Sequence, residues 1–561
     1  MAQRFYKLIT EKILEISDRK SLSNRLVPIV SNVSNTPQFH WPCDGVYSDK
    51  QINSIKTALR HEHAIEDVSS SRVGRRQALV FHLNRNSFIH ETMSTLSLNR
   101  KKLHETPRTI IEFSSPNIAK PFHAGHLRST VIGNFLSNLF NHLGHDVTKI
   151  NYLGDWGTQL GYLMLGIELQ KLTKHQIKIN PIQCLYNAYV HAHEMASAQH
   201  DLDEKARQIF KNLEDNSQLH MENWNELRSY TVDELKNVYN RLGISFDHYF
   251  WESQYGIKDI DNVLSLMEKT NTLSLQDDGR RVTKVGTRVI PIVKSDGTTL
   301  YIARDIAALI DRFEKFQFNN ALYVVDNAQS DHFAALSSIA RNMNLPCATG
   351  IKHVKFGRVL GMSTRKGTAI FLQDILDEAD ALMKKKQIES KTTKIDVHVH
   401  SSVTSVLGAT AVVVNDLKQR RMRDYNFSWE KALQTDGDTG IKLQYTHCRL
   451  WSLQCLNADL VQSGTTCNPQ LLPEPEALAI VVEISKFDEI LMESADSLES
   501  CVLVNYLFGL SNAINRAMTK LSIKNESCKE KAAQRMALFI AARKTLERGM
   551  EILGLRVLKE M

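Results

Sequence analysis

The sequence predicts an α/β protein whose central domain is a Rossmann-like, doubly wound parallel sheet, preceded by a small α+β domain and followed by an all-α helical bundle. Three observations support this fold class. Two apolar segments of strand character flank an amphipathic helix, strand signals return further along the chain, and no proline occurs after Pro475. The 561 residues allow about three or four domains of roughly 150 residues each.

The domain boundaries are predicted where polar segments interrupt the apolar pattern. A polar linker ending at Pro107 separates an N-terminal domain, 1–106, from the central domain, 107–395, which ends in a polar stretch. Charge-laced helical periodicity predicts a helical insertion around 180–243 within the central domain. The remaining residues, 396–561, are predicted to form the helical bundle because glycine is scarce and proline absent in their last part.

The sheet prediction depends on one βαβ unit. Thr109–Phe113 has the composition of a buried strand, Ala124–Leu143 has helical periodicity and is followed by Gly144, and Val147–Leu153 is a second strand segment. Such a unit implies parallel strands with a ligand crevice at their carboxyl ends. Further strand segments, which we expect to continue the sheet, are predicted at 288–293, 299–302 and 322–325.

Composition excludes a disordered chain and a membrane span. Hydrophobic residues make up 42% of the sequence and charged residues 23%, and no run of 18 apolar residues occurs. The net charge of +7 is concentrated between Arg72 and Arg128, where ten Lys and Arg accompany three carboxylates. This distribution favours a polyanionic partner such as nucleic acid, and a solvated basic face is the alternative.

The eight cysteines predict free thiols and no structural zinc. They never form a C-x-x-C pair, and no pair of histidines stands beside them at zinc-ligand spacing. We therefore expect a reducing compartment and no metal-ligating side chains. The N-terminal residues lack the Ser- and Arg-rich bias of a clear transit peptide.

The segment 114–130 carries the residues most typical of a nucleotide site. His123 and His126 stand three positions apart where a helix begins after a strand, so both imidazoles can point at the positive helix end. A phosphate suits that position, Gly125 lets a flat base approach the backbone, and Lys120 adds a cation. From these residues alone, capping or core histidines remain the alternative.

Two signatures in this sequence resemble those of class I aminoacyl-tRNA synthetases. The H-A-G-H of 123–126 resembles the HIGH signature, and G-M-S-T-R-K-G-T of 361–368 resembles the KMSKS loop. Gly361 and Arg365 replace the two lysines, a departure typical of the arginyl branch, in which a lysine just before HIGH compensates; Lys120 has that position. Segments 112–130, 151–157, 295–301, 437–440 and 443–447 are similar to the arginyl branch throughout.

The resemblance implies an ATP-dependent ligase that forms arginyl-adenylate and transfers the arginyl group to tRNA(Arg), with Mg²⁺ accompanying ATP. The catalytic residues implied are His123, His126, Lys120, Met362, Ser363, Arg365 and Lys366, and the ATP-binding residues are His123, Gly125 and His126. A non-catalytic RNA-binding paralogue and an RNA-independent acid-adenylating ligase are the alternatives. The first would be expected to lose a signature residue, and the second has no use for the C-terminal bundle.

An arginine pocket is expected from both residue chemistry and the resemblance. Glu112 lies in an apolar strand and therefore needs a cationic partner, either the substrate's α-ammonium or an internal arginine. The resemblance implies that Asn117 and Gln329 orient the amino-acid backbone. It also implies that the guanidinium is faced by Glu252, Tyr301 and Asp305. The alternatives are that Asp305 caps its helix and Tyr301 lies in the core, and Glu252 follows Tyr-Phe-Trp where the family has Tyr-Ser-Gly.

The flanking domains are expected to contact tRNA. In the N-terminal domain the candidates are Asn84 and Phe88, and in the bundle they are Tyr445 and Tyr506, whose rings would stack on splayed bases unless they are buried. The family-like C-terminal residue Met561 is a further candidate. We expect a monomer that does not bind membranes. The 443–449 segment favours a mitochondrial location, with the cytoplasm as the alternative.

Overall fold

The structure is a computed structural model and describes most of the chain. The described residues are 3–17, 27–30, 36–42, 49–59, 64–73, 76–95, 106–117, 122, 124–214, 218–361, 372–390, 401–434, 437–461 and 467–561. Cys43 and six of the predicted catalytic residues lie outside them, namely Lys120, His123, Met362, Ser363, Arg365 and Lys366.

As far as its residues are described, the N-terminal unit is a four-stranded sheet with three helices. Its elements are α1 (Gln3–Ser17), β1 (Val27–Val30), β2 (Pro37–Pro42), α2 (Asp49–Leu59), β3 (Ile65–Val73), β4 (Arg76–Leu83) and α3 (Arg85–Thr95). The strand order is β1-β2-β4-β3, and every neighbouring pair is antiparallel. Alternating residues such as Phe39, Trp41 and Phe81 are buried against the helices, as expected for a sheet with one covered face.

The central unit contains the predicted parallel sheet together with its insertions. Its elements are β5 (Arg108–Glu112), α4 (Ala124–His142), β6 (Asp146–Leu153), α5 (Thr158–Leu169), α6 (Lys174–Ile179), α7 (Pro181–Ala198), α8 (His200–Glu214), α9 (Gln218–Leu242), β7 (His248–Trp251), α10 (Ile257–Lys269), β8 (Ser274–Leu275), β9 (Arg281–Val285), β10 (Arg288–Val293), α11 (Tyr301–Phe316), β11 (Asn320–Tyr323), α12 (Ser330–Asn342), β12 (Ile351–His353), β13 (Val359–Leu360) and α13 (Leu372–Glu389).

Five of these strands form one parallel sheet in the order β12-β11-β5-β6-β7. Side chains alternate between its two faces. Ile111 and Leu322 contribute to the core that includes α4, whereas Ile110 and Ala321 contribute to the core that includes α11 and α12. The sheet is therefore doubly wound, which confirms the predicted fold class. The strand order reverses between β5 and β11, where a crevice opens at the carboxyl ends of the strands.

Two predicted strands differ from the structure. β10 pairs with β9 in a separate antiparallel sheet of order β10-β9-β8, so it does not extend the parallel sheet. Of the segment 299–302, Thr299 makes only an isolated bridge to Val293, and α11 begins at Tyr301. A short apolar run fits a strand or a buried helix start equally well, and the tertiary contacts decide which forms.

The C-terminal unit is helical, as predicted. Its elements are α14 (Ser401–Leu417), β14 (Tyr425–Asn426), α15 (Trp429–Ala432), α16 (Gly440–Leu456), α17 (Pro475–Ser485), α18 (Phe487–Ser497), α19 (Ser500–Lys520) and α20 (Lys529–Ile552). The only strand described in this unit, β14, pairs in parallel with β13 of the central unit. None of the described helices is long and apolar enough to cross a membrane.

Candidate active site

The first turn of α4 lies at the carboxyl end of β5. It carries Gly125 and His126, both partly exposed, and the ring of Phe122 lies 5.2 Å from the ring of His126. On the other side of Phe122, 5.9 Å away, is the ring of Tyr239 from α9. At the start of α4, His126 thus packs against an aromatic ring. Lys120 and His123, the residues predicted to act with His126, lie outside the described residues.

The connection from β5 to α4 adopts an unusual backbone. Ser114 and Ser115 have φ angles of 71° and 43°, in a region that costs a non-glycine residue about 1–3 kcal/mol. Buried hydrogen bonds hold it: the Ser114 hydroxyl contacts the Tyr239 hydroxyl at 2.7 Å, and Ser115 N–H donates to Asn151 Oδ1 at 3.1 Å. The chain then reaches Asn117, which forms a parallel bridge with Gly154 after β6.

Glu112 is paired with an internal arginine. Arg312 Nη1 on α11 donates to Glu112 Oε2 at 2.5 Å, and the two side chains are 2% and 6% exposed. The Arg312 guanidinium also lies 4.6 Å from the Tyr152 ring. Burial raises the pKa of the Glu112 carboxyl, and Arg312 opposes that shift. Of the two cationic partners considered for Glu112, the structure contains the internal arginine.

Asp305 lies in the second turn of α11 and does not cap this helix. The N-cap is Leu300, which makes no side-chain capping bond. Instead, Asp305 Oδ2 is 2.6 Å from His332 Nε2 on α12. This hydrogen bond raises the pKa of His332 above its usual value. The capping alternative for Asp305 is therefore wrong, and the carboxylate stands at the pocket with an imidazole beside it.

Glu252 follows β7 at the start of a short 3-10 turn, Glu252–Gln254. Burial, together with the negative charges of Asp305 and Asp155, raises the pKa of Glu252 to about 8, and the positive charge of Arg304 opposes this shift. The interaction with Asp305 places the two carboxyl groups in one electrostatic environment. Two acids that repel each other in a partly dehydrated site are suited to bind a cation.

Asp155, which the sequence analysis did not single out, fixes the turn that carries Glu252. Its carboxylate accepts from Ser253 N–H at 2.9 Å, from Ser253 Oγ at 2.6 Å and from Trp224 Nε1 at 3.2 Å. Arg228 Nε is 3.6 Å from the same carboxylate, and its guanidinium lies 4.1 Å from the Trp251 ring. Trp251, which departs from the family pattern, thus makes a cation–π contact with Arg228.

Tyr301 is the first residue of α11 and interacts with the charge of Glu252, whereas Gln329 ends the turn after β11. Tyr301 is 55% exposed, so the core alternative for this residue is wrong. A Cβ atom at Gly157 would lie only 2.9 Å from the Tyr301 hydroxyl, and Gly157 has a φ of 115°. Only glycine combines that backbone with room for the tyrosine. Gln329 is exposed at the end of the 3-10 turn Asn327–Gln329.

A buried arginine connects α4 to the C-terminal unit. Arg128 Nη1 donates to the carbonyl oxygens of Gly357 at 2.8 Å and Arg423 at 3.0 Å. Its guanidinium is 5.1 Å from the Tyr425 ring, and Nε is 3.6 Å from Asp416. Gly357 precedes β13, and Tyr425 begins β14. The helix that carries His126 is therefore joined through one side chain to both strands of the β13–β14 pair.

The candidate tRNA contacts of the flanking domains differ in their environments. Asn84 Oδ1 accepts from Ser87 N–H at 3.0 Å, which caps the start of α3. Phe88 is fully buried among the rings of the N-terminal unit, so its ring is not available to a base. Tyr506 is also buried, and its hydroxyl donates to Glu483 O at 2.8 Å. The expectation of an exposed stacking ring is therefore wrong for Tyr506.

Tyr445, by contrast, is 44% exposed on α16, with the Arg449 guanidinium 5.6 Å from its ring. On the same helix, Trp451 lies between two cations, with Lys559 Nζ at 4.5 Å and the Arg543 guanidinium at 4.9 Å from its ring. The sequence analysis did not single out Trp451, because the cations beside it come from residues distant in the chain.

Two polar side chains of α16 bind the C-terminal tail. Gln444 Nε2 donates to Arg556 O at 2.7 Å, and Leu558 N–H donates to Gln444 Oε1 at 3.0 Å. His447 Nδ1 is 2.7 Å from Leu558 O. Met561 then packs against the cluster that contains Leu407 and Ile441.

No group of three or more His, Cys, Asp or Glu in the described parts of the chain is arranged to hold a metal ion. The seven cysteines there are free thiols. Chemically, the site combines a helix opening suited to a phosphate with carboxylates that suit an organic cation.

Comparison with protein families gives two matches. Residues 89–429 match the family described as "tRNA synthetases class I (R), catalytic domain", and residues 443–561 match the "DALR anticodon binding domain". Together these matches span the described site and the helical unit that follows it.

Curated proteins similar to this chain include arginine–tRNA ligases of two compartments. A probable mitochondrial arginine–tRNA ligase of Bos taurus is 38% identical over 457 residues, which cover 80% of this chain and 77% of that protein. The cytoplasmic arginine–tRNA ligase of Saccharomyces cerevisiae is 36% identical over 475 residues, with 82% and 77% covered. The mitochondrial enzyme of that yeast is 34% identical over 522 residues, with 89% and 80% covered.

Solved structures agree in fold. The chain superposes on Thermus thermophilus arginyl-tRNA synthetase with a TM-score of 0.82 at 18% identity, and all of both chains is covered. The match to Plasmodium falciparum arginyl-tRNA synthetase has a TM-score of 0.78 at 22% identity and covers 100% of this chain and 99% of that one. The matches to both domain families, together with relatives above 30% identity over most of the chain, place this protein in the arginyl branch of the class I aminoacyl-tRNA synthetases.

Proposed function

We propose that this chain ligates L-arginine to tRNA(Arg) through an arginyl-adenylate, using ATP. The observation that carries the proposal is a pair of carboxyl groups, Glu252 after β7 and Asp305 on α11, whose charges interact near the carboxyl ends of the parallel strands. A planar cation with five N–H donors is the ligand best matched by carboxylates on two sides and a tyrosine on a third.

In the first step, the carboxylate of arginine attacks the α-phosphorus of ATP in line, the bond to the bridging oxygen breaks, and pyrophosphate leaves. His126 and the backbone of the α4 opening stabilise the charge on the phosphoryl group, with His123, Lys120 and the second signature adding cations. Gly125 leaves room for the nucleotide beside the helix. Mg²⁺ enters bound to the ATP phosphates and neutralises part of their charge.

The amino acid is oriented by its two ends. Asn117 and Gln329 bind the α-amino and carboxylate end, and Glu112, held by Arg312, supplies negative charge next to them. Glu252, Asp305 and Tyr301 bind the guanidinium. Lysine would leave acceptors of this pocket without donors, and a buried acceptor without a donor costs about 1–3 kcal/mol.

In the second step, the arginyl group passes to the 2′-hydroxyl of the terminal adenosine of the tRNA, and AMP leaves. The N-terminal unit, through Asn84, and the helical unit, through Tyr445 and Met561, contact the tRNA. Stacking of a base on an exposed ring such as Tyr445 contributes about 1–3 kcal/mol per base. We expect the ligase to act as a monomer in the mitochondrial matrix.

ATP–pyrophosphate exchange, measured with each amino acid in turn and with and without tRNA, tests the proposal. Of the amino acids, only arginine should support exchange. Exchange driven by another amino acid would contradict the assignment, and charging that proceeds without RNA as acceptor would favour the RNA-independent ligase. Imaging of the tagged full-length protein tests the compartment, and light scattering of the purified protein tests the monomer.

His126→Ala separates catalysis from tRNA binding. The variant should slow adenylate formation about 100-fold or more, because the charge on the transferring group loses a stabilising donor, while tRNA affinity changes less than twofold. A matched control is His142→Ala at the far end of the same helix. An equal loss of adenylation and tRNA binding would contradict the role given to His126.

A further inference from the structure

His332 has no role in the function proposed above, yet it makes a short polar contact within the arginine pocket. Its Nε2 atom is 2.6 Å from Asp305 Oδ2, and the two side chains are 27% and 25% exposed. His332 is in the first turn of α12, and Asp305 is on α11, so the contact joins these two helices.

The other cations near Asp305 are engaged elsewhere. Arg312 is bonded to Glu112 inside the core. Arg304 donates from Nε to Tyr255 O at 3.3 Å, and its guanidinium lies 5.3 Å from the Trp156 ring. His332 is therefore the group that faces the Asp305 carboxylate with a hydrogen-bond donor in the described part of this pocket.

The acids around the pair come from several elements. Glu252, in the turn after β7, and Glu112, at the end of β5, both interact with the charge of Asp305. Asp331, next to His332 on α12, forms an ion pair of 3.0 Å with Arg288 on β10. The imidazole of His353 on β12 stacks on Phe333 at 4.6 Å, and its Nε2 atom is 3.0 Å from Val325 O.

We propose that His332 is a positioning residue that serves as the resident cation of the guanidinium pocket, holding Asp305 in the empty enzyme and releasing its proton when arginine binds. The inference rests on the arginine site proposed above and goes beyond it, because it assigns a proton exchange to substrate binding.

The exchange follows from the charges. The arriving guanidinium and the imidazolium are like charges that share one carboxylate, so the guanidinium lowers the pKa of His332 and favours loss of the proton to solvent. The neutral imidazole keeps its Nε2–H donor and continues to hold Oδ2. Asp305 Oδ1 is then the acceptor that remains for the guanidinium.

Glu252 adds a second proton to the exchange. Burial raises its pKa to about 8, so this carboxyl is largely protonated in the empty pocket at neutral pH. The guanidinium favours the ionised form, and Glu252 then also releases its proton. One arginine thus enters with one positive charge and displaces at most two protons, so the net charge of the pocket changes little.

The same contact bears on specificity. Because His332 takes one acceptor site of Oδ2, Asp305 offers fewer acceptor sites to the guanidinium, which favours dividing its donors between Asp305 and Glu252. A planar fork can span two acceptors, whereas the compact ammonium of lysine binds as a point charge.

Isothermal titration of L-arginine into the enzyme at pH 7, in phosphate and in Tris, measures the protons released, since the two buffers differ in ionisation enthalpy. The wild-type protein should release protons as arginine binds. His332→Gln keeps an amide donor near the position of Nε2 but cannot titrate, so it should bind arginine within about threefold and release fewer protons. His332→Ala removes the donor and should bind about tenfold more weakly.

His200→Gln on the exposed side of α8 is the matched control and should release as many protons as the wild type. Equal proton release from the wild type and from His332→Gln would overturn the inference. The arginine site itself is tested separately: if Glu252→Gln and Asp305→Asn both bind arginine as the wild type does, the proposed function of this pocket fails, whatever the proton count.

Discussion

At the scale of single residues, the pocket is built from charges whose partners lie far away in sequence. Glu112 and Arg312 are 200 positions apart, and Asp155 and Ser253 are 98 apart. The sequence indicated that Glu112 needs a cation, because an isolated carboxylate in an apolar strand is unstable. It did not indicate which cation, since any of the many arginines was compatible with that requirement.

The pairing of Glu112 with Arg312 predicts a large loss of stability when one partner is removed. Arg312→Met leaves the carboxylate buried without its cation, which should lower the free energy of unfolding by about 3–5 kcal/mol. The double variant with Glu112→Gln removes both charges and should recover much of that loss. Urea denaturation of both proteins checks this, and a double variant less stable than Arg312→Met would contradict it.

The hydrogen bonds between Asp155 and the turn that carries Glu252 predict an effect on the KM for arginine and none on the KM for ATP. Asp155→Asn weakens the bonds to Ser253 and the ion pair with Arg228, so Glu252 should lose its fixed position. We expect KM for arginine to rise about tenfold, a loss similar to that of one charged hydrogen bond, with KM for ATP unchanged. The control is Asp233→Asn, an exposed acid on α9. Parallel changes in both KM values would contradict a positioning role.

The pKa of Glu252 predicts how stability depends on pH. This pKa is about 8 in the folded protein, well above the ordinary value of 4.5, so the folded state holds a proton that the unfolded state has lost. Stability should therefore fall as pH rises from about 5 to 8, by an amount of the order of a few kcal/mol.

Glu252→Gln is the variant that checks this pH dependence, because glutamine does not titrate. Its thermal unfolding, recorded without arginine across the same pH range, should decline less than that of the wild type. Curves of equal slope for the two proteins would show that Glu252 does not carry the effect.

At the scale of elements, secondary structure was predicted best from the sequence where the hydrophobic periodicity agrees with the residues typical of helix ends. The helix predicted at 124–143 is observed as Ala124–His142, and the strands on either side agree within one residue. The separate β8–β10 sheet and the helix start at Tyr301 were missed, because short apolar segments take their structure from the surfaces that cover them. The hydroxyl and amide contacts that hold Ser114 and Ser115 come from α4, β6 and α9.

The α16 helix predicts a contribution of Trp451 to tRNA binding. Lys559 and Arg543 keep cations on this ring, and Tyr445 with Arg449 extends the same arrangement along the helix. Trp451→Ala should weaken tRNA affinity about fivefold to tenfold, because Lys559 and Arg543 lose the ring that holds them in place for contacts with phosphates, with arginine affinity unchanged. Filter binding of labelled tRNA measures this. Leu456→Ala, on the same helix and 82% exposed, is the control and should bind normally; affinity equal to that of the control would contradict the role.

At the scale of the whole molecule, one hydrophobic core connects the N-terminal and C-terminal units. Phe5, Phe88, Leu139 and Phe487 belong to the same cluster of buried side chains. Arg85, at the start of α3, donates to the carbonyl oxygens of Leu472 and Glu474 before α17. The composition of the three segments predicted their fold types, but the surfaces that join them depend on side chains whose contacts only the tertiary structure defines.

The β13–β14 pair has a consequence for how the chain tolerates change. Tyr425 N–H donates to Arg358 O at 3.1 Å and Phe427 N–H to Leu360 O at 2.8 Å, so the polypeptide departs from and returns to one short ribbon. The two ends of the segment 361–424 are therefore held beside each other, although the segment includes α13 and α14. Because Asp416 near the end of α14 pairs with Arg128 of α4, a residue added or deleted within α14 would rotate this contact away, so we expect the chain to tolerate changes of length poorly in this helix.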